Sequence, residues 1–115
     1  MAKRKLETFN GGVVYIYRDK PRATDFGAKR NTKALENMDF VVRLDYEESS
    51  RREEDLEFAK RSDFSLTMKI KTRAVPCVDN TCKAVIDGYL YDVRYTDKTR
   101  TAMWLYLEGV RKLVS

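Results

Sequence analysis

The chain has 115 residues, of which 43% are hydrophobic and 36% charged, with a formal net charge of +5. This composition is too apolar for a disordered chain and predicts a single folded domain over residues 1–115. No apolar run approaches the roughly 20 residues that span a bilayer, so we expect no membrane partner. The basic start leads into no apolar signal core, which favours synthesis in the cytoplasm.

Charge is uneven along the chain. Residues 1–37 carry nine Lys or Arg against four Asp or Glu, whereas residues 38–62 carry five against eight. We interpret residues 1–12 as a basic, flexible N-terminal arm that could approach nucleic acid or an acidic neighbour. Such an arm is more often a solvated end of the chain.

The first predicted strand is the β-branched and aromatic run at residues 13–17, which follows Gly11 and Gly12. Residues 19–37 show no sustained apolar period and predict a long polar loop. Apolar residues then alternate with polar ones from Met38 to Tyr46 and again from Phe64 to Lys71, which predicts two half-buried strands.

Between these strands, residues 49–61 predict a short charged helix. Ser50 and Glu53 have the spacing of a capping box, and acidic residues precede basic ones as the helix dipole favours. The apolar side is thin, with Leu56 and Ala59 and with Phe58 nearby. We therefore expect the helix to lie on a sheet or across a barrel opening, mostly exposed.

Asp87 and Gly88 predict a two-residue type I′ turn that joins two further strands, since this turn requires two positive φ angles. In the last strand Met103, Leu105 and Leu107 share one face, and Trp104 and Tyr106 share the other. Both faces are therefore covered, or the aromatic side chains are exposed for a partner. Gly109 suggests a bulge or a close backbone approach.

The predicted fold is mainly β: a small antiparallel β-barrel or sandwich of about six strands, with one short helix between the second and third strands. The chain has no histidine and no phosphate-binding glycine loop. Cys77 and Cys82 lack the further ligands of a zinc site and favour reduced, apolar roles. We predict no catalytic, metal or cofactor-binding residues, and therefore no enzyme.

Basic and aromatic side chains of the predicted strands could together bind single-stranded nucleic acid, as barrels of the OB type do. They are Lys69, Lys71, Arg73, Tyr89, Tyr91, Arg94 and Tyr95. The alternative is that the tyrosines simply cover a small sheet.

Three segments carry a family resemblance, at residues 66–73, 85–93 and 103–111, and the likeness extends over about residues 38–113. They resemble the head-closure proteins of long-tailed bacteriophages and prophages, which are also called head-tail adaptor, head-completion or stopper proteins. The resemblance implies a structural β-barrel subunit that forms a ring with copies of itself under the portal and adaptor. It would close the DNA-filled capsid and join it to the tail.

The partners implied are the portal or adaptor protein and tail proteins, with packaged DNA in the channel as a further candidate, and the location implied is the virion. A tail terminator is an alternative role in the same assembly. We also expect residues 48–61 and the loop to rearrange on assembly. Exposure and chemistry nominate six side chains for interaction: Arg51, Arg52, Glu53, Glu54, Trp104 and Tyr106.

Overall fold

Neighbouring strands in the described part of the chain are all antiparallel, and the sheet closes on itself in the order β1-β2-β3-β6-β5-β4. The structure is a computed structural model that describes residues 10–19 and 38–113. Its elements are β1 Gly12–Asp19, β2 Met38–Ser49, α1 Glu53–Arg61, β3 Met68–Arg73, β4 Cys82–Ile86, β5 Tyr89–Lys98 and β6 Ala102–Lys112. The mainly β prediction with one helix between the second and third strands is confirmed, and the sheet is a barrel.

The predicted arm and loop lie almost entirely outside the described residues. Of the arm, residues 10–12 are described, and Gly12 begins β1. Of the loop, Asp19 is described, and it ends β1 rather than belonging to the loop. Both segments otherwise stay predictions.

Apolar side chains that alternate along the strands fill the barrel interior. The described core combines Val14 and Ile16 of β1, Leu44 of β2, Ile70 of β3, Ala84 of β4, Val93 of β5, and Met103, Leu105 and Leu107 of β6. A period of two therefore sends one face of most strands inward, as the sequence alternation predicts. Phe40 departs from it: the β1–β2 register shifts between Val42 and Phe40, so Phe40 is exposed although the alternation placed it on the inward face.

The β4–β5 hairpin has the predicted turn. Asp87 has a φ of 49° and Gly88 a φ of 80°, so both central residues have the positive φ of a type I′ turn. Residues 86 and 89 pair directly across it. The turn thereby fixes the register of the two strands.

A bulge lies beside Gly109, as predicted. Leu90 pairs with Arg111 and Tyr91 pairs with Gly109, so one residue of β6 is left without a partner position in β5. The Gly109 N–H donates instead to Oγ1 of Thr67, at 2.9 Å, on the other side of the strand. Pairing resumes beyond the bulge, where Leu90 faces Arg111 and Tyr89 faces Lys112.

The third strand begins later than the alternation predicts. Phe64 and Leu66 precede β3 and pack in a separate cluster with Ala59 and Tyr106 on the outside of the barrel. Their alternation therefore reflects contact with the helix rather than strand pairing. The second strand is longer than predicted, because its end pairs with β3 at residues 47–49.

The helix also begins later than predicted, at Glu53 rather than residue 49. Its N-cap is Arg52, whose backbone N–H donates to the Asp55 carboxylate at 3.0 Å, so the proposed cap by Ser50 and Glu53 is wrong. The physical reason is that Ser49 is still paired with Lys69 in the sheet. Because β2 continues to Ser49, the helix cannot begin before the residues that follow the strand.

Helix α1 lies on the outer face of β3, β6 and β5 rather than across the barrel opening. Asp55 and Ala59 face the sheet and are buried, whereas Leu56 is 45% exposed. The prediction that Leu56 forms the apolar side is therefore wrong. A carboxylate takes the inward position because basic and hydroxyl side chains lie beneath it.

Candidate functional site on the helix-covered face

Two cation–aromatic pairs lie side by side on the outer face of β3 and β6. Lys69 is paired with Tyr106 and Lys71 with Trp104 in the strand register. The Nζ atoms of the two lysines lie 5.1 and 5.2 Å from the centroids of the Tyr106 and Trp104 rings. These distances are short enough for cation–π attraction. The part of the sheet that lies under and beside the helix is therefore basic and aromatic.

Asp55 of α1 is bonded to this face at both carboxylate oxygens. Its Oδ2 accepts a hydrogen bond from Lys69 Nζ at 2.9 Å, and its Oδ1 accepts one from the Tyr106 hydroxyl at 3.1 Å. All three side chains are buried. We call Asp55, Lys69 and Tyr106 the latch cluster, because they join the helix to the barrel.

The latch cluster holds its carboxylate in the charged form. Burial by itself would raise the pKa of Asp55, but the hydrogen bonds from Lys69 and Arg52 outweigh burial and lower the pKa to about 2. The same environment raises the pKa of Tyr106 to about 12, first through burial and then through the adjacent Asp55 charge. At neutral pH the cluster is therefore an ion pair with a neutral phenol as a second donor.

Aromatic packing extends the contact between helix and sheet. The Phe58 ring lies 4.8 Å from Tyr95, 5.9 Å from Tyr106 and 6.2 Å from Phe64, measured between centroids. Arg94 lies over the Phe64 ring at 5.5 Å and pairs with Glu108. The helix is thus fixed by one buried polar cluster and one aromatic cluster.

A groove of about 380 Å³ opens beside the latch cluster, where α1 meets the sheet. Its lining is mixed in charge and comprises Ser49, Ser50, Arg52, Lys69, Asp97, Trp104 and Tyr106. Lys69 already bonds to Asp55, and Asp97 adds a negative charge to the wall. The groove therefore suits a polar partner with groups of both signs better than a simple anion.

The four nominated charged residues before and in α1 are exposed. The Arg51 guanidinium donates to the carbonyls of Leu66 and Thr67, at 3.3 and 3.2 Å, and ties the helix entry to the segment before β3. Arg52 pairs with Glu54 at 3.1 Å. Glu53 points outward without an ion pair to any described residue.

The two nominated aromatic residues are placed differently. Trp104 is half-buried at the groove, whereas Tyr106 is 6% exposed beneath the helix. The exposure on which Tyr106 was nominated is therefore absent, because α1 covers it. The sequence left two alternatives for the outer face of the last strand, which were cover by the protein itself or exposure to a partner. At Tyr106 the face is covered by the protein itself.

The sequence analysis did not identify Asp55 as a site residue, and it considered Lys69 only for nucleic-acid binding and not as the partner of a buried carboxylate. Asp55 lies four residues before Ala59, so both share the inward face of the helix. Lys69 lies among the polar positions of an alternating strand, where a cation normally faces solvent. One sequence signal was available. Asp55 and Ala59 lie four residues apart on one side of the predicted helix, and a carboxylate on the side that faces a sheet needs a cation as its partner.

Several of the basic and aromatic residues considered for nucleic-acid binding are engaged in contacts within the protein. Tyr95 packs against Phe58 and Tyr106, and Tyr91 packs against the barrel core. Tyr89 is 46% exposed at the hairpin end, where Lys112 lies over its ring. These side chains serve several separate contacts.

A second aromatic surface lies on the other half of the barrel. The Phe40 ring lies 5.7 Å from Tyr17 and 6.4 Å from Tyr15, between centroids. Phe40 is 56% exposed and Tyr15 is 40% exposed. We call Tyr15, Tyr17 and Phe40 the aromatic patch.

The two cysteines are free thiols in different environments. Cys77 is exposed and Cys82 is buried, and burial raises the pKa of the Cys82 thiol. Arg18 donates to the Cys77 carbonyl at 2.7 Å, which joins β1 to the segment before β4. Within residues 10–19 and 38–113, no group of three or more acidic or cysteine side chains is arranged to hold a metal ion.

Among residues 10–19 and 38–113, no helix is both long enough and apolar enough to cross a membrane. A scan against protein-family models finds no match to this chain, and a search of curated proteins finds no significant match.

Proposed function

We propose that this protein is a structural head-tail connector subunit of a long-tailed bacteriophage or prophage. In this proposal it forms a homo-oligomeric ring under the portal and adaptor, closes the DNA-filled capsid and joins it to the tail in the virion. The family resemblance over residues 38–113 is the source of the proposal. The helix-bearing barrel is consistent with it.

The observation that carries the proposal furthest is the way the barrel holds α1. The latch cluster and the aromatic cluster fix the helix from below, while Glu53, Leu56 and Glu57 remain exposed on its outer side. A rigid barrel therefore presents an ordered surface of charged and apolar groups. Such a surface suits contacts between protein subunits, which combine apolar anchors with a polar rim.

The groove beside α1 adds a second contact region. Arg52 and Trp104 line it, and both belong to the residues nominated for interaction. Arginine and tryptophan are enriched among the residues that contribute most to protein binding. We propose Arg51, Arg52, Glu53, Glu54 and Trp104 as interaction residues, and we assign Tyr106 to support of the helix.

The test is binding of the purified full chain to a purified portal–adaptor complex. We expect a stable complex that contains several copies of the chain per portal ring, and we expect Trp104→Ala to weaken it. Tyr89→Ala, which removes an exposed aromatic side chain at the hairpin end away from the groove, is the control. Binding to isolated tail tubes and not to the portal–adaptor complex would favour the tail-terminator role.

Binding of single-stranded nucleic acid is the alternative from another class, and the same protein preparation tests it. Lys69 is neutralised by Asp55, and the Tyr106 ring is buried, so these two groups do not offer a stacking platform while α1 is in place. Steeply salt-dependent binding to an oligonucleotide, without binding to the portal–adaptor complex, would contradict the connector proposal.

A further inference from the structure

The two cysteines of the chain flank one tight turn between β3 and β4. Cys77 precedes the turn, and Cys82 is the first residue of β4. The Cys82 N–H donates to the Asp79 carbonyl at 3.1 Å, and the Thr81 N–H donates to Oδ1 of the Asp79 side chain at 3.0 Å. These two bonds reverse the chain, so the turn brings Cys82 back toward Cys77.

The thiol of Cys82 lies against residue 77. Its Sγ is 3.9 Å from the Cys77 carbonyl oxygen and 3.8 Å from Oδ1 of Asp79. Arg18 Nη2 contacts the same carbonyl at 2.7 Å and the same Sγ at 3.5 Å. The side chain of Cys77 begins three bonds from that carbonyl oxygen, so a local rearrangement of one residue brings the second thiol to the first.

The fold maintains this arrangement. Val78, between the two cysteines, is fully buried in the barrel core, and Arg18 of β1 bonds to the backbone on the far side of the turn. An unfolded chain has neither restraint. The folded protein therefore presents the two thiols to each other at a higher effective concentration than the unfolded chain does.

The two thiols also differ in accessibility in a useful way. Cys77 is exposed to dissolved reagents, whereas Cys82 is 1% exposed and burial raises the pKa of its thiol. An oxidant therefore reaches Cys77 first and finds Cys82 protected beside it. An accessible cysteine next to a second, resolving cysteine is the arrangement that forms a disulfide reversibly.

We propose that Cys77 and Cys82 are a redox pair that forms an intrachain disulfide by exchange with a small-molecule disulfide. The Cys77 thiolate attacks one sulfur of the small disulfide and releases one small thiol, which leaves a mixed disulfide on Cys77. Cys82 then loses its proton and attacks the Cys77 sulfur, which releases the second small thiol. Two cysteine thiols are oxidised, one small disulfide is reduced to two thiols, and the two cysteine protons end on those thiols.

This inference goes beyond the proposed function and does not depend on it. A reducing cytoplasm keeps both thiols free, and an oxidising medium allows the disulfide to persist. In the connector proposal the protein passes from the first environment to the second when virions leave the cell. The disulfide would then close residues 77–82 covalently in the virion.

The test equilibrates the reduced full chain with a mixture of reduced and oxidised glutathione, in native buffer and in concentrated urea. Free thiols are then alkylated, and trypsin cleavage after Arg73 and Lys83 gives one peptide, residues 74–83, that contains both cysteines. We expect this peptide to be two hydrogen atoms lighter and not alkylated. The ratio of disulfide to dithiol should be at least about tenfold higher in native buffer than in urea, since folded geometry favours closure.

Three results would overturn the proposal: covalent dimers through Cys77 as the main product, a stable glutathione adduct on Cys77 with Cys82 still reduced, or an equal ratio in urea. As controls, Cys77→Ser should leave Cys82 unmodified in native buffer, and Cys82→Ala should stop at the glutathione adduct. Circular dichroism of each reduced variant checks that the fold is kept.

The outcome is separable from that of the connector proposal. A chain that forms the disulfide but does not bind the portal–adaptor complex would reject the connector role and leave the redox pair standing. A chain that binds the complex but does not form the disulfide would reject the redox pair alone.

Discussion

Lys69 Nζ lies 2.9 Å from Oδ2 of Asp55, and this buried ion pair joins the inserted helix to the third strand. Each side chain is about 95% withdrawn from solvent, with residue exposures of 3% for Asp55 and 6% for Lys69. Removing one member of such a pair leaves the other charge buried without a partner, which is more costly than losing a surface contact. The position of the helix therefore depends strongly on one carboxylate.

We expect Asp55→Asn to lower the free energy of unfolding by about 3 kcal/mol, because Lys69 would remain buried without its counter-charge. Urea denaturation monitored by tryptophan fluorescence measures this change. Glu57→Gln removes the same kind of charge from the exposed side of the same helix and should stay within about 0.5 kcal/mol of the parent. Equal effects of the two variants would show that the buried pair does not stabilise the fold.

The stability of the parent protein should depend on pH in the acidic range through Asp55. Its pKa falls from 3.8 to about 2 on folding, so the carboxylate contributes stability that is fully present above about pH 4. About 2 kcal/mol is lost as the pH falls from 4 through 2. Denaturation curves between pH 2 and pH 6 measure it, and Asp55→Asn should lack this component. A parallel pH dependence in the two proteins would contradict the assignment.

The hairpin turn gives a prediction that concerns backbone conformation alone. Gly88 has a φ of 80°, and a Cβ at this position would meet no atom within 4 Å. Gly88→Ala should therefore cost about 1–2 kcal/mol through the left-handed conformation and not through a clash. Thermal denaturation measures the change. Gly109→Ala is the control, since its φ is not positive and its nearest new contacts are ordinary ones at 3.5 Å.

Two leucines of equal size should differ in their effect on stability. Leu105 is fully buried in the barrel core, and Leu105→Ala should cost about 2–5 kcal/mol through lost burial and a cavity. Leu56→Ala should cost less than about 1 kcal/mol, because Leu56 is 45% exposed. Denaturation of both variants under the same conditions checks the difference. A large effect of Leu56→Ala in dilute, monomeric protein would show that it supports the fold.

Assembly should change the protection of α1 from hydrogen exchange. If the helix becomes an interface between subunits, amides of residues 53–61 should exchange more slowly in the assembled connector than in the free chain, because the helix can then open less readily. Amides of β4, at residues 82–86, are the internal reference. The same protection in both states would contradict a role for the helix in assembly.

Much of the barrel can be predicted from local patterns. The alternation from Met38 to Tyr46 indicated β2, and Asp87 with Gly88 indicated both the hairpin and its turn type, because these features depend on neighbouring residues alone. The boundaries near α1 could not be predicted in this way. Ser49 and Phe64 each have side chains that fit two elements, and the choice between them depends on contacts with distant strands.

The sequence by itself determined that this is a small antiparallel β protein with an inserted charged helix, because period-two alternation and turn chemistry are local properties. The tertiary structure decided which face of that helix is buried. Asp55, and not Leu56, faces the sheet because Lys69 and Tyr106 come together only when β3 pairs with β6. From the sequence alone, a carboxylate is predicted to lie on the surface. Its burial becomes favourable only because the fold brings two hydrogen-bond donors to it.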